Sequence, residues 1–417
     1  MARPELTGLR LNAAQRATAQ VITKGGGIEL LELADGLEIR TTSWVGRLAL
    51  GSLELTVVPK VDGAALADLL RYGYGLRDLK SLPGSEQPVP HGGVQNLLAW
   101  QLAAEAEELL ARGLHRDYRI RREEMASPRG RIDVGALAMT GLRGAALPCI
   151  HHPRIEDNPV NRALRGALVL ARRFVSEDRL RDRLLRLARA IDPDAFLAEI
   201  GARDIEALGR RRDRRLAAYG PALRIAGVLL EGKGSALEED DTPLERLPGF
   251  MFDMNAFFQR LVSRLIGEGL PNLDVVNESG IRNLFGWLST ANPRGWRDPI
   301  QRPDFTIRDG AATIAVLDAK YRDLWLRPLP ANMLYQLALY AVAYPSTGSK
   351  SAILYPTSDR SACEQVIELR SPVGSARLAL VVLRPVHLGE LRDALRAPGL
   401  DGIRKRTAIA NRLAFGT

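Results

Sequence analysis

The chain has 417 residues, 46% of them hydrophobic and 26% charged, a composition typical of a globular protein with two or three domains. It holds two cysteines far apart, Cys149 and Cys363, which excludes a disulfide framework and a cysteine zinc site. No run of about 18 apolar residues occurs, and the start of the chain has no apolar stretch. We therefore expect no membrane span and no secretion signal, and a cytoplasmic protein.

The charge of the chain is moderately positive. Lys and Arg number 58 against 49 Asp and Glu, a net charge of +9, which suits a polyanionic partner without requiring one. Only seven of these basic residues are lysines. Arginine is thus the usual cation of this chain, and each lysine, Lys320 among them, is more informative than it would otherwise be.

The N-terminal part has the pattern of a small β-rich domain. Residues 28–60 alternate apolar and polar positions, with a turn signal at Asp35-Gly36, and this predicts antiparallel strands. A helix is predicted at 64–74. Residues 82–93 are rich in Pro, Gly and Ser and are typical of a linker. We assign residues 1–90 to this domain.

Residues 91–240 form a mixed but mainly helical middle region. A helix is predicted at 94–112, extended segments at 115–125 and 147–155, and arginine-dense helices from 158 to about 230. Two interpretations of the arginine-rich face remain open. It is either a solvated surface with Asp/Glu–Arg pairs at i,i+4 spacing or a DNA-contacting face.

The acidic, polar segment 233–248 predicts a domain boundary, and residues 241–417 have the pattern of a third domain. Helices are predicted at 249–268 and 331–344, with one or two more at the end of the chain. Strands are predicted at 273–277, 284–289, 303–307, 313–321, 351–356, 365–370 and 378–383. Strands alternating with helices in this way indicate an α/β or α+β fold with a central sheet.

A candidate catalytic constellation lies in the third domain. Asp304 begins one predicted strand, a turn follows at Asp309-Gly310, and Asp318 and Lys320 end the next strand, so the two strands form a hairpin. Because side chains alternate along a strand, Asp318 and Lys320 project to the same side. Asp304 can meet them across the pair. The apolar run before Asp318 predicts a buried strand.

These residue types in this arrangement are suited to a metal nuclease. Two carboxylates can bind one Mg²⁺ or Mn²⁺, with water and phosphate oxygens completing its shell. A nearby lysine can orient the attacking water and stabilise the charge that develops on phosphate. The alternative is a surface ion pair between an Asp and a Lys of one strand, which occurs often by chance and contributes little to stability.

Two glutamines interrupt otherwise apolar helices on either side of these strands. Gln336 lies four residues before Tyr340, on the same face of its helix. Gln259 lies in the helix that precedes the sheet. Each is either a residue of the site or an ordinary surface or core amide.

With these pieces in order, the chain resembles the McrC family, the nuclease subunit of McrBC-type restriction systems that act on 5-methylcytosine-modified DNA. The segments that carry the resemblance are VGRLALGSLELTVVPKV, PRGRIDV, EDNPVNRALRGAL, FDMNAFFQRLV, RPDFTI followed by AVLDAKYR, NMLYQLALYA and AILYP. The resemblance implies a C-terminal PD-(D/E)xK restriction-endonuclease-like domain with a mixed central sheet flanked by helices. The β-rich domain and the arginine-rich region would precede it.

The resemblance also implies roles for individual residues. Asp304, Asp318, Lys320 and Gln336 would be catalytic, and Asp304 and Asp318 would bind the metal. Gln259 stands where the family often has Glu. An amide there keeps an oxygen that can serve as a metal ligand but lacks the negative charge.

The resemblance further implies an McrB-like AAA+ GTPase partner that binds GTP and docks on the N-terminal half, with double-stranded DNA as the substrate. The chain itself has only GVLLEGKG at 227–234, which lacks the hydroxyl residue of a P-loop, so we expect no nucleotide binding here. Two alternatives remain. One, favoured by Gln259, is a non-cleaving adaptor with a degenerate nuclease fold that activates an AAA+ motor. The other is a stand-alone DNA repair nuclease.

Overall fold

The computed structural model describes residues 7–24, 28–50, 53–59, 61, 63–76, 93–141, 145–175, 177–192, 201–209, 213–234, 249–282, 284–374 and 376–416. Most of the predicted linker at 82–93 and of the predicted boundary at 233–248 lies outside these residues. The described residues divide into two compact units. The first combines residues up to 76 with those from 251 onward, and the second holds residues 93–250. The sequence predicts separate domains at 1–90 and 241–417, whereas the structure groups the described parts of both in one unit.

The N-terminal part of the first unit has the elements α1 Ala13–Lys24, β1 Ile28–Leu33, β2 Gly36–Thr41, β3 Trp44–Leu50, β4 Leu53–Val57 and α2 Gly63–Tyr74. The predicted antiparallel pairing is confirmed, but it is divided between two sheets. β1 pairs with β2, and β3 pairs with β4. A distant strand, β10 Gly249–Asp253, adds to the free edge of β3.

The second unit has the elements α3 Gly93–Arg112, β5 Asp117–Tyr118, β6 Arg121–Met125, β7 Arg131–Ile132, α4 Val134–Thr140, β8 Leu147–His151, β9 Arg154–Ile155, α5 Pro159–Phe174, α6 Asp178–Ile191, α7 Ala202–Gly209 and α8 Gly220–Gly234. It is mainly helical, as predicted. The sequence GVLLEGKG lies within α8, so its backbone is helical and cannot form a phosphate-binding loop.

The arginine-rich helix α6 buries leucines on one face and turns its arginines outward. Leu180, Leu184 and Leu187 are buried. Arg183 pairs with Glu107 of α3 at 2.6 Å. At least one arginine of this helix is therefore paired with an acidic side chain of another helix rather than at the expected i,i+4 spacing, and both interpretations of the arginine-rich face stay open.

The C-terminal part of the first unit contains β10 (residues from 251), α9 Met254–Gly269, β11 Asp274–Asn277, β12 Phe305–Asp309, β13 Ala312–Ala319, α10 Ala331–Ala343, β14 Lys350–Thr357, β15 Gln365–Arg370, β16 Arg377–His387, α11 Leu388–Arg396 and α12 Gly399–Phe415. Among the described residues six strands form one sheet, in the order β11-β12-β13-β14-β16-β15. The pairs β13–β14 and β14–β16 are parallel, whereas β11–β12, β12–β13 and β15–β16 are antiparallel pairs. The predicted mixed central sheet is confirmed.

The middle strands of this sheet are buried on both faces. Helix α10 covers one face, where Tyr340 packs with Val316, Ile353 and Val381 in one cluster. The residues of opposite orientation, such as Leu317, are buried as well. A strand covered on both faces has a continuous apolar sequence, so the charged residues that follow the apolar run of β13 lie at the end of a buried strand.

Two predicted elements differ from the structure. Residues 249–253 form β10 rather than the first turns of a helix, and α9 begins at Met254, where the side chain of Asp253 accepts from the Asn255 N–H at the helix start. The strand predicted at 284–289 is wrong. The backbone there bonds to neighbouring loop residues instead, as when the Trp287 N–H donates to Asp298 at 2.8 Å, and it continues into a short 3₁₀ turn.

Helix α2 packs on α9, and this contact joins the N-terminal elements to the first unit. The ring of Tyr74 stacks on Phe257, with centroids 5.9 Å apart. Arg264 donates to the backbone carbonyl of Tyr72 at 2.7 Å, and Arg396 of α11 pairs with Asp68 at 2.6 Å. Within the described residues, no helix is long and apolar enough to cross a membrane.

Candidate active site

Asp318 and Lys320 meet at the carboxyl end of β13. Asp318 is 3% exposed, opposite Ile353 of the parallel neighbour β14. Lys320 follows the last residue of the strand, and its N–H donates to the Leu354 carbonyl at 3.0 Å. The Lys320 Nζ lies 2.9 Å from Asp318 Oδ2. The two side chains therefore lie on the same side, as strand alternation predicts.

Asp304 reaches the same point from the partner strand of the hairpin. It immediately precedes β12, which pairs with β13. Its Oδ2 accepts from the Ala319 N–H at 2.8 Å and lies 3.3 Å from Lys320 Nζ. One ammonium thus lies between two carboxylates, and a backbone donor fixes the orientation of Asp304.

Burial of these charges shifts their pKa values. Burial, and next the charge of Asp304, raise the pKa of Asp318 from 3.8 to about 6, against the lowering effect of Lys320. Burial alone would lower the pKa of Lys320, but Asp318 and Asp304 outweigh it and hold that pKa above its ordinary value. Lys320 is consequently a fixed positive charge at neutral pH and is poorly suited to act as a base in this state.

Gln259 and Glu278 extend the cluster beyond the hairpin. Gln259, on α9, donates from Nε2 to Asp304 Oδ1 at 3.2 Å and to Glu278 Oε1 at 3.5 Å. The amide nitrogen rather than the oxygen therefore faces the carboxylates, and a role as metal ligand would require the amide to turn over. The structure thus brings Gln259, on the helix that precedes the sheet, next to Asp304.

Glu278 is the residue that the sequence analysis missed. It follows β11, and its N–H donates to the Asp304 carbonyl at 3.0 Å. Its φ of 50° is in the left-handed region, which is uncommon for a residue other than glycine and is found more often at functional sites. The Glu-Ser-Gly sequence after a strand signals only a turn. Glu278 lies one residue beyond the last pair of β11 and β12, Asn277 and Phe305, and the sequence does not specify this register.

Gln336 reaches the cluster through a second side chain. Its Nε2 donates to the hydroxyl of Tyr340 at 2.6 Å. Tyr340 is fully buried, and its pKa is raised by burial and, after the opposing effect of Gln336, by the charges of Asp318 and Asp304. The structure therefore places Gln336 behind Tyr340.

The side chains of the site that could act as metal ligands are the two carboxylates, Asp304 and Asp318. Asp318 Oδ1 is buried, and no hydrogen-bond donor among the described residues reaches it. A bound divalent cation would provide the partner that this oxygen lacks. No group of three or more His, Cys, Asp or Glu side chains in the described part of the chain is placed to hold a metal. Two carboxylates fit Mg²⁺, which commonly keeps several waters and binds one or two carboxylates together with substrate phosphates.

Helix α9 is also tied to the chain just after Lys320. The Tyr321 N–H donates to Asn255 Oδ1 at 2.9 Å, and the rings of Phe258 and Tyr321 meet edge to face, 6.2 Å apart. These contacts fix the end of β13 relative to the helix that carries Gln259. The arrangement can hold a cation, with a fixed positive charge beside it.

Comparison with known proteins gives a family and a fold. A chain of the refined half-complex from the tetradecameric assembly of Thermococcus gammatolerans McrB AAA+ hexamers with bound McrC matches 97% of this chain and 90% of its own length. It does so at 20% identity and a TM-score of 0.59, and the likeness shows a shared fold. A chain of the cryo-EM structure of the Thermococcus gammatolerans McrBC complex matches 56% of this chain and 68% of its own, at 22% identity and a TM-score of 0.42. No curated protein matches.

A protein-family model also matches the chain by sequence. The model described as McrBC 5-methylcytosine restriction system component matches residues 39–356. This range is most of the chain and includes every site residue discussed above. The chain belongs to the family of McrBC 5-methylcytosine restriction system components.

Proposed function

We propose that the chain is the Mg²⁺-dependent DNA endonuclease subunit of a modification-dependent restriction complex, with a PD-(D/E)xK site formed by Asp304, Asp318 and Lys320. One observation carries the proposal: two carboxylates and one ammonium converge within 3.3 Å at the end of a buried hairpin. In addition, one buried carboxylate oxygen lacks a donor among the described residues. Buried charges are retained at such a cost mainly where they bind or react.

Asp304 and Asp318 would hold the cation, which is Mg²⁺ or Mn²⁺. When bound, the metal supplies an acidified water and neutralises charge on the phosphate. Lys320 would orient the attacking water and stabilise the negative charge that develops on the phosphate oxygens. Its raised pKa supports this electrostatic role over that of a base. Burial of Asp318 excludes bulk water from one side of the site.

Gln259, Gln336 and Glu278 would orient the groups of this site or change the charge around them. Gln259 either orients Asp304 through Nε2, as in the structure, or turns its oxygen to the metal. Gln336 donates to the Tyr340 hydroxyl, whose pKa the charges of Asp318 and Asp304 raise, and would contribute to catalysis through that hydroxyl. Glu278, next to Gln259, adds a negative charge near the place where the resemblance expects a helix-borne Glu.

A partner protein would supply the energy of GTP hydrolysis and would recognise the modified DNA. Family membership, and a shared fold with a chain of an assembly of McrB AAA+ hexamers with bound McrC, support an McrB-like AAA+ GTPase as that partner. GTP would be bound by the partner, since GVLLEGKG is helical in this chain. The substrate would be double-stranded DNA, encountered in the cytoplasm.

The test is reconstitution of the full chain with its candidate GTPase, GTP, Mg²⁺ and methylated DNA. We expect cleavage by wild type and loss of about 100-fold or more in Asp304→Ala, Asp318→Ala and Lys320→Ala. Lys405→Ala is the matched control, because this lysine is exposed and pairs with Asp401 on α12, and it should cleave normally. Cleavage by Asp318→Ala and Lys320→Ala at the wild-type rate would refute the site.

A non-cleaving adaptor is the second candidate, favoured by the presence of two rather than three carboxylates among the predicted ligand positions. In the same reconstitution, an adaptor would stimulate GTP hydrolysis while the DNA stays intact. The three alanine variants would then stimulate as well as wild type. Cleavage without the partner or GTP would instead indicate a stand-alone nuclease.

A further inference from the structure

The described residues between β11 and β12, 279–282 and 284–303, form a long excursion from the sheet, which we call the arm. It contains four arginines, Arg282, Arg294, Arg297 and Arg302, and a single acidic residue, Asp298. The arm therefore has a surplus of three positive charges. All four arginines are exposed, and none of them forms an ion pair with the described residues.

Large apolar side chains are exposed between these arginines. Trp287 is 48% exposed, Leu288 73% and Trp296 60%. Single exposed apolar residues are ordinary, but several within one short segment indicate a contact surface. Arginines interleaved with exposed aromatic rings are typical of nucleic-acid-binding surfaces, where guanidinium groups bind phosphates and rings stack on or wedge between bases.

The arm has a defined internal structure. The Trp287 indole Nε1 donates to the Arg297 carbonyl at 3.2 Å, and the Trp287 N–H donates to Asp298 at 2.8 Å. Asn292 donates to the Trp296 carbonyl and accepts from its N–H, at 2.8 and 2.9 Å. The two sides of the arm are thus held together, and ordering them on binding would cost little entropy.

The base of the arm lies at the candidate active site. The residues that flank it are Glu278 and Asp304, which are joined by a backbone hydrogen bond of 3.0 Å. Ile281, also bonded to Gln301 across the base, is buried in the same cluster as Tyr340 and Val316. Any duplex that binds the arm is therefore tethered to the element that carries Asp304.

We propose that the arm binds the DNA duplex beside the bond to be cut, with its arginines on backbone phosphates and the side chains of Leu288 and Trp296 in a groove or between bases. This inference rests on the proposed function for the nature of the polymer. Charge complementarity selects DNA over a second copy of the chain, because two copies of the arm would bring unpaired arginines together.

The contacts of the arm arginines with DNA phosphates are tested by the salt dependence of DNA binding. Full-length Arg294→Gln/Arg297→Gln protein is titrated against a fluorescent duplex in EDTA, which prevents cleavage, at several salt concentrations. Each lost phosphate contact should reduce the slope of log affinity against log salt by about 0.9, so the double variant should lose about two. Arg404→Gln is the control, since Arg404 is an exposed arginine on α12, and its slope should equal that of wild type.

The role of the Trp296 ring in DNA binding is tested with the variants Trp296→Ala and Trp296→Phe in the same assay. Loss of a base contact should weaken binding about tenfold in the alanine variant, and the phenylalanine variant should recover most of the affinity. Because Trp296 is 60% exposed, neither change removes core packing. Phe415→Ala, at a ring 41% exposed on α12, should bind like wild type.

The outcomes separate this inference from the proposed function. Equal affinity and slope in all variants, or no binding by wild type, would overturn the role of the arm even if wild type cleaves DNA with its partner. Arm-dependent binding without any cleavage would support the arm and refute the nuclease. A change in oligomeric state of Trp296→Ala, measured by light scattering, with unchanged DNA affinity would identify the arm as a contact between copies and overturn the proposal.

Discussion

Asp318 is held in an environment that opposes its own charge. Burial and the neighbouring Asp304 raise its pKa to about 6, although Lys320 is 2.9 Å away. The folded protein therefore binds a proton at Asp318 more tightly than the unfolded chain does. Between about pH 4 and pH 6 this difference makes the metal-free protein less stable as the pH rises.

We accordingly predict that Asp318→Asn stabilises the metal-free protein at pH 8 but not at acidic pH. The expected gain in the free energy of unfolding is on the order of 2 kcal/mol at pH 8, and it should shrink toward zero near pH 4. Denaturant unfolding in EDTA at several pH values measures it. A constant difference across this range would mean that ionisation of Asp318 is not opposed by its surroundings.

Gln259 gives a second prediction at the scale of a single residue. Its Nε2 lies 3.2 Å from Asp304 and 3.5 Å from Glu278, so Gln259→Glu would replace a donor by a third negative charge. We expect the variant to unfold at a lower temperature than wild type in EDTA and to gain more stability from Mn²⁺, because a cation relieves the repulsion.

The readout for Gln259→Glu is the rise in melting temperature between EDTA and Mn²⁺. The matched control is Gln365→Glu, at an exposed position of β15, which should show the same rise as wild type. If Gln259→Glu gains no more from Mn²⁺ than wild type does, the metal does not bind beside position 259.

At the scale of elements, the hairpin of β12 and β13 was the most predictable part of the site. The Gly turn, the apolar run and strand alternation are local signals, and they correctly placed Asp318 and Lys320 on one side. The strand predicted at 284–289 failed because an apolar run alone does not say whether a partner strand is available. Glu278 could not be found, because its position depends on pairing with Asp304 and on a left-handed backbone that no nearby residue specifies.

Helix α9, which carries Gln259, offers an element-scale prediction through two glycines near its end. A Cβ at Gly269 would collide with the Cβ of Ala410 on α12, whereas a Cβ at Gly267 meets nothing within 4 Å. Gly269→Ala should therefore destabilise the protein by about 1–3 kcal/mol through overpacking. Gly267→Ala should be neutral or stabilising by up to about 1 kcal/mol, because alanine favours the helix.

Urea unfolding of the two glycine variants measures this difference. Since both substitutions change the same helix by one methyl group, their helix propensities cancel in the comparison. Equal stability of the two variants would show that α9 and α12 do not approach as closely as the structure indicates.

At the scale of the whole molecule, the N-terminal elements and the six-stranded sheet belong to one compact unit, although about 180 residues of sequence separate α2 from α9. Sequence patterns could not predict this grouping, because the apolar face of α2 shows that a partner exists without showing which one. The contact that joins them is aromatic and buried, with Tyr74 4% exposed and stacked on Phe257. The helix that carries Gln259 is therefore held in place from the N-terminal side as well.

This packing predicts that Tyr74→Ala destabilises the first unit by about 3 kcal/mol, since it leaves a cavity against Phe257. Tyr335→Ala is the control, because this tyrosine of α10 is 71% exposed, and its effect should stay within about 0.5 kcal/mol. Hydrogen exchange should show faster exchange in α9 as well as in α2 for Tyr74→Ala. Faster exchange confined to α2 would mean that α9 keeps its position without the N-terminal elements, and that Gln259 is positioned by the sheet alone.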